Sequence, residues 1–439
     1  MGNEGQPAVT TGNKMQTSKT HGVAVSADGT LDATQQATQQ ATEQMQRQVR
    51  WMTYLMFFVF AMTTDAVGVI IPQAMAQYQL SLFQASAFHY VPMVAIGLAG
   101  LFLGRLADKL GRKSLIIVGL SLYAGACYAF TAGDNALFFI LLMGICGLAI
   151  GIFKTAALAL IGDISPDSLS HTRTMNKVEG FFALGAIAGP ALVTVMIAAS
   201  VHWKQLYLVA GLLCTVLVIM AARLPYPPYQ AAAEQVSLRQ SLALLKDRYA
   251  LGFSLAIALY VGCEVAIFVW LPTLLADYQG SFAVVATHAI TLFFMLRAAG
   301  RFVAGLILQH FCWSSVMASC TLAIFACFFF SMLGGKAVAL WLMPLSGLFM
   351  SMIYPTLNSK GISCFGRQQH GAVAGLILAF TALSAALAPA LMALIGDLAA
   401  NVSAGFYLAT VFSALLAAAM LYNYLAQPAK RRLDYRRQS

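Results

Sequence analysis

From Trp51 onward, apolar runs of about 20 to 27 residues recur along the chain, each long enough to cross a hydrocarbon core of about 30 Å as a helix. A helix satisfies its own backbone hydrogen bonds, which a segment in lipid must do. Spans are expected at 52–78, 84–107, 114–131, 136–162, 174–199 and 204–222, then at 250–276, 283–309, 314–333, 337–362, 371–395 and 402–425. That pattern predicts an all-α membrane protein of twelve transmembrane helices. The composition agrees, with 60% hydrophobic and only 10% charged residues, against about 25% charged in a globular domain.

The formal net charge is +10, yet this does not point to nucleic acid. Lys and Arg gather at helix ends and in the C-terminal KRRLDYRR, the pattern of a chain that keeps its basic loops inside. An even number of crossings puts both termini on one side, and Arg47, Arg50 and the basic tail predict that this side is the cytoplasm, in the cell (inner) membrane. Membrane lipid is the expected partner of those charges. The opposite loops carry Asp134, Asp277 and Asp397 with Lys204 and Lys336. The 8 cysteines lie mostly inside apolar segments without a C-x-x-C pair, so they read as small apolar fillers rather than disulfides or metal ligands.

Residues 1–48, with the repeat ATQQATQQATEQ, are too polar to bury a core and read as a disordered cytoplasmic tail whose end runs into the first span. Residues 223–249, with Pro225, Pro227 and Pro228, form the longest internal connection. This linker divides the spans six and six, into halves at 49–222 and 250–425, ahead of a basic cytoplasmic tail at 426–439. The halves repeat one another at an offset near 200 residues. Asp65 aligns with Glu264, Tyr78-Gln79 with Tyr278-Gln279, and Gly189-Pro190-Ala191-Leu192 with Ala388-Pro389-Ala390-Leu391.

The connection after the second span, GRLADKLGRKS from Gly104 to Ser114, packs four cations into about ten residues. With Gly104, Asp108, Gly111 and Arg112 in place, it resembles the loop motif of the major facilitator superfamily. The resemblance implies two pseudo-symmetric six-helix halves, a substrate held between them near the midplane, and alternating access, with this loop favouring one conformation. G-A-I-A-G-P in the fifth span, with Gly185, Gly189 and Pro190, is similar to the superfamily's antiporter motif in that helix, although Ala191 and Leu192 replace its closing glycines.

Charges at membrane depth are costly, by about 2.5 kcal/mol or more, and face a cavity or a partner. Asp65 sits mid-way in the first span and Glu264 in the seventh, and both are candidate proton carriers. Lys154 in the fourth span is expected either to pair with Glu179 of the fifth or to face an anionic substrate. Arg297 and Arg301, one turn apart, share a face of the eighth span. Arg297 is the cavity candidate and Arg301 the one placed to snorkel. Lys360 in the tenth span is a weaker substrate candidate.

Within the superfamily the chain resembles the fucose:proton symporter group at Ile71-Pro72-Gln73, Thr155-Ala156-Ala157, Tyr260-Val261-Gly262 and Tyr354-Pro355-Thr356. It departs from that group at Lys154, where those symporters carry Glu, and that change favours an acidic solute over a neutral sugar. The function expected is a proton-coupled secondary transporter of a small polar, anionic metabolite, acting as a monomer. Sugar symport and drug efflux are alternatives, as is a non-transporting receptor. No phosphate loop, metal-binding motif or nucleophile elbow occurs, so neither an enzyme nor a cofactor is expected.

Overall fold

Short polar residues set the helix starts. Ser81 and Gln84 form a capping box at one helix, Asn135 accepts from the Leu137 N–H (2.8 Å), Asp247 from Tyr249 and Ala250 (2.8 and 3.2 Å), and Asn401 from Ser403 (2.9 Å). Each precedes an apolar run, so the chain turns and re-enters the apolar layer within a few residues. The computed structural model describes residues 27–165, 168–226, 243–366 and 369–438; the side chains of 27–37, 100–110, 168–169, 171–172, 305, 371 and 434–438 fall outside that description.

The chain divides into a unit Met1–Gln46 and a unit Arg47–Ser439. Of the first, the backbone from Ala27 and the side chains from Thr38 are described. The helices are α1 (Ala27–Thr64), α2 (Val67–Tyr78), α3 (Leu82–Leu110), α4 (Arg112–Ala129), α5 (Ala136–Asp163), α6 (Ser168–Ala198) and α7 (Gln205–Arg223) in the first half. The second half comprises α8 (Arg248–Leu275), the short α9 (Ala283–Thr287), α10 (Ala289–His310), α11 (Trp313–Met350), α12 (Ile353–Ser363), α13 (His370–Leu398) and α14 (Val402–Ala426), and α15 (Pro428–Gln438) follows. No strand occurs among the described residues. Most of the expected linker, 227–242, and the tail before Ala27 lie outside them.

Ten runs among the described residues are long and apolar enough to span a membrane. One, 313–363, has 51 residues, about 76 Å of helix and too long for one crossing. It folds back at Gly335, whose φ of +68° is open to a residue without Cβ, and Cys320 then meets Met352 at 3.8 Å. It therefore holds two crossings. Counting α4, whose 18 residues open on Arg112 and Lys113, the helices are consistent with twelve spans.

The internal repeat is visible in the packing. α6 lies so close to α1 that a Cβ on Gly185 would stand 2.2 Å from the Phe58 carbonyl oxygen, and one on Gly189 2.0 Å from that of Met62. At the matching place in the second half, Ser384 donates to the Ala258 carbonyl (2.6 Å), and Trp270 Nε1 to the Pro389 carbonyl (3.1 Å). The halves meet where α3 packs on α13, α2 on α8, and α6 on α10. Below, the face holding the start of α3 and the end of α13 is called distal, and the face holding α15 terminal.

Candidate functional site

The first span is broken in its middle. The Thr63 hydroxyl bonds back to the Val59 and Phe60 carbonyls (3.3 and 3.0 Å) and that of Thr64 to Phe60 (3.0 Å), contacts that bend a helix. Downstream, Pro72 offers no N–H to the preceding turn. The Asp65 N–H still reaches the Ala61 carbonyl (3.0 Å), and regular bonding resumes only at Ile70, whose N–H donates to Ala66 (3.2 Å), so Asp65 stands at the edge of the break. Its side chain is buried, and its Oδ2 has no hydrogen-bond partner among the described residues. Arg297, Glu264 and Lys154 lie within electrostatic reach.

Glu264 of α8 and Arg297 of α10 form a direct ion pair, and the guanidinium Nε is left without an acceptor. One turn along α10, Arg301 lies 3.7 Å from the Glu179 carboxylate of α6 and donates to the Glu179 carbonyl (3.4 Å). Arg301 therefore bridges the two halves. Tyr260, one turn before Glu264, donates to the Met350 carbonyl (3.1 Å) at the α11–α12 break, with Tyr354 6.4 Å away ring to ring.

Lys154 of α5 has no carboxylate within 4.0 Å among the described residues, since Glu179 is engaged by Arg301. Its ammonium lies over the rings of Phe60 and Phe57, 4.9 and 5.7 Å from their centroids, which offsets part of its desolvation. Asp65 and Glu179 are both within its electrostatic reach. Five expected site residues, Asp65, Lys154, Glu179, Glu264 and Arg297, thus fall in one cluster with Arg301. Lys360 does not join it, because its ammonium lies 5.9 Å over the Trp313 ring, beside the first turn of α11. In the loop motif, Gly111 joins α3 to α4 at φ +81°, and Arg112 pairs with Asp163 at the end of α5 (3.3 Å). The side chain of Asp108 and the surroundings of Gly104 lie outside the described residues.

On the distal side of the cluster the halves are shut together. A Cβ on Gly68 of α2 would stand 1.8 Å from the Phe268 carbonyl oxygen of α8, so only glycine permits the contact. His89 of α3 is buried against the Phe268 ring, 5.5 Å between centroids. Asp397, at the end of α13, accepts from the Leu82 and Phe83 N–H groups of α3, both at 2.8 Å. On the other side Glu179, eleven residues into α6, has 54% of its side chain exposed. Glu179 lies near the terminal end of its span, which begins at Arg173. The halves are therefore closed distally, whereas Glu179 on the terminal side stays accessible. Neither His89 nor the role of Asp397 is marked by the sequence; a lone His among apolar residues is the one signal that singles out the former.

A second polar group ties the distal loops within each half. Asp134 accepts from Lys204 (2.9 Å) and Tyr78 (2.9 Å), and these donors hold its carboxyl below the usual carboxylate range. In the second half Lys336 pairs with Asp277 at the corresponding corner, again with a lowered carboxyl.

Residues 53–389 match the sequence profile described as Major Facilitator Superfamily. The L-fucose-proton symporter of Escherichia coli (strain K12) is 26% identical over 385 residues, covering 79% of this chain and 86% of its own. The glucose/galactose transporter of Brucella abortus biovar 1 (strain 9-941) is 22% identical over 358 residues, covering 78% and 86%. A solved structure of the nucleoside transporter NupG superposes with a TM-score of 0.69 at 15% identity, over 87% of this chain and 99% of that one. With a profile match across most of its length and the two-half helical fold, the chain belongs to the major facilitator superfamily and is a secondary transporter, not an enzyme.

Proposed function

We propose that this transporter carries a small, polar, anionic metabolite together with a proton, binding both in the charge cluster between its halves. The observation that carries this reading is the pairing pattern of the cluster. Glu264 and Glu179 are each engaged by an arginine, whereas among the described residues Lys154 lacks a carboxylate within 4.0 Å and the Asp65 Oδ2 lacks a donor.

Each unpaired group has a task. Asp65 can gain and lose a proton without breaking an ion pair, which makes it the proton carrier and leaves Glu264 to hold Arg297. Lys154 is a half-buried cation whose charge two aromatic rings only partly offset, so a solute carboxylate or phosphate arriving from the terminal side would complete it. Asp65 stands at the α1–α2 break, next to the contact of α2 with α8 that seals the distal side. A change in its charge thus acts beside the seal that must open for the substrate to reach the other face. With both termini in the cytoplasm, as the basic tail favours, the sealed distal side is the outer one.

Neutral sugar symport is the second reading, favoured by the names of the two relatives, one a symporter of fucose with protons and the other a transporter of glucose and galactose. Binding of a sugar acid and of its uncharged parent to wild type, Lys154→Ala, Glu179→Ala and the double variant separates the readings. The anion reading expects Lys154→Ala to weaken the acid by tenfold or more and the parent little, with no rescue in the double variant. Rescue by the double variant, or equal losses for both ligands, returns the sugar reading to first place.

A further inference from the structure

A cavity of about 530 Å³ lies at the terminal face between the first turns of α8 and the last turns of α14, with α15 along its rim. Its walls are mostly apolar, with Phe253 and Ala256 on one side and Ala419 and Met420 on the other beside the polar Asn423. Arg248 and Arg431 stand at its mouth. Gly252 faces it as well, and a Cβ built there meets nothing within 4 Å.

The arginines at the mouth have no ion-pair partner whose side chain is described. Among the described residues neither has a carboxylate within 4.0 Å, and Arg248 touches only the Tyr249 hydroxyl and ring (3.3 and 5.0 Å). Asp247, the acid beside Arg248, is committed elsewhere: Oδ1 caps α8 and Oδ2 lies 4.0 Å from Arg432; the side chain of Asp434, three residues after Arg431, lies outside the described residues. Arg432 in turn fastens α15 in place, donating to the Cys364 carbonyl (3.3 Å) and lying over Tyr249 and Phe365. Arg431 is thereby held at the mouth by a docked helix.

Both flanking helices end at this level, so the walls fall in the outer hydrocarbon layer and the arginines among the headgroups. A mostly apolar slot topped by two cations complements a molecule with an acyl chain and an anionic phosphodiester. Inorganic phosphate would answer the arginines but leave the apolar walls bare, and a zwitterionic lipid would bring its own cation to them. We infer that this cavity binds one anionic phospholipid from the leaflet at the terminal face, its phosphate on Arg248 and Arg431 and an acyl chain along α8 and α14. The site is separate from the transport cluster and is independent of what the protein carries.

The test is native mass spectrometry of the detergent-purified full chain, titrated with dioleoyl phosphatidylglycerol, with dioleoyl phosphatidylcholine and with inorganic phosphate. Wild type is expected to retain one phosphatidylglycerol in preference to phosphatidylcholine. Arg248→Gln and Arg431→Gln should each weaken that binding about five-fold, the scale of one basic residue at an anionic membrane surface. Gly252→Trp fills the open wall with both arginines intact and should abolish lipid retention. Equal retention of the two lipids, indifference to both arginine changes, or displacement by millimolar phosphate with no effect of Gly252→Trp overturns the inference.

Discussion

Asp397 is the clearest handle on the conformational equilibrium, because its carboxylate belongs to the second half and its two partners, Leu82 and Phe83, begin a helix of the first. Those N–H groups are the first two of α3, which have no intrahelical acceptor, and Ser81 answers the third at Gln84. Opening the distal side pulls Asp397 away and leaves water to replace it, so the two bonds favour the closed state alone. A charge-assisted hydrogen bond contributes about 1.5–3 kcal/mol when well shielded and an N-cap about 0.5–2. At this half-buried position about 2 kcal/mol for the pair is a fair figure, equivalent to about 30-fold in the ratio of distally closed to distally open molecules. Asp397→Ala should shift the ratio by that factor, and Asp397→Asn, which keeps one acceptor, by less. The assay is the rate of maleimide labelling of a reporter cysteine at His89→Cys, a position 1% exposed in the closed state, in nanodiscs. A rate unchanged by Asp397→Ala would refute the assignment of Asp397 as a distal latch.

Gly185→Leu should lower the yield and melting temperature of folded protein, because its Cβ would stand 2.2 Å from the Phe58 carbonyl oxygen and overpacking costs about 1–3 kcal/mol or more. A wild-type melting curve would contradict the close α1–α6 contact. Glu264→Gln should destabilise the protein by about 3–5 kcal/mol through the uncompensated Arg297, and Glu264→Gln with Arg297→Gln should recover much of that loss. Additive losses in denaturant unfolding would show that the two do not act as a pair. Because the Asp134 carboxyl is lowered in the folded protein, its contribution is present above its unfolded value near pH 3.8 and lost as pH falls through the lower folded value. Melting temperatures between pH 6 and pH 3 should fall less steeply at the acid end for Asp134→Asn than for wild type, and parallel profiles would exclude the linkage.

Much of this was legible in the sequence, for reasons that differ from residue to residue. The spans could be placed because lipid demands long apolar runs, and the hairpin at Gly335 fell between two of them. The offset near 200 residues located Asp65 and Glu264 at equivalent places, and both lie in the cluster. Pairing across the halves was not legible. Whether Glu179 meets Lys154 or Arg301 depends on the relative depth of three helices from distant parts of the chain, and hydrophobic periodicity carries no information about depth. For the same reason the Arg301 contact with Glu179 could not be foreseen, and Lys360 could not be told from a cavity residue until Trp313 was seen beneath it. Asp397 read as an ordinary acid of an external loop, since its partners lie 315 and 314 residues earlier.

The central claim, that Asp65 carries the proton that accompanies an anionic solute, is tested most directly by proton movement itself. Proteoliposomes loaded with a pH-sensitive dye and given a sugar acid or its neutral parent report whether solute entry moves protons. The account predicts a pH change on adding the acid to wild type, its loss in Asp65→Asn, and persistence in that variant of solute counterflow, which needs no net proton transfer. Proton movement at the wild-type rate in Asp65→Asn, or a response to the neutral parent with none to the acid, would contradict it.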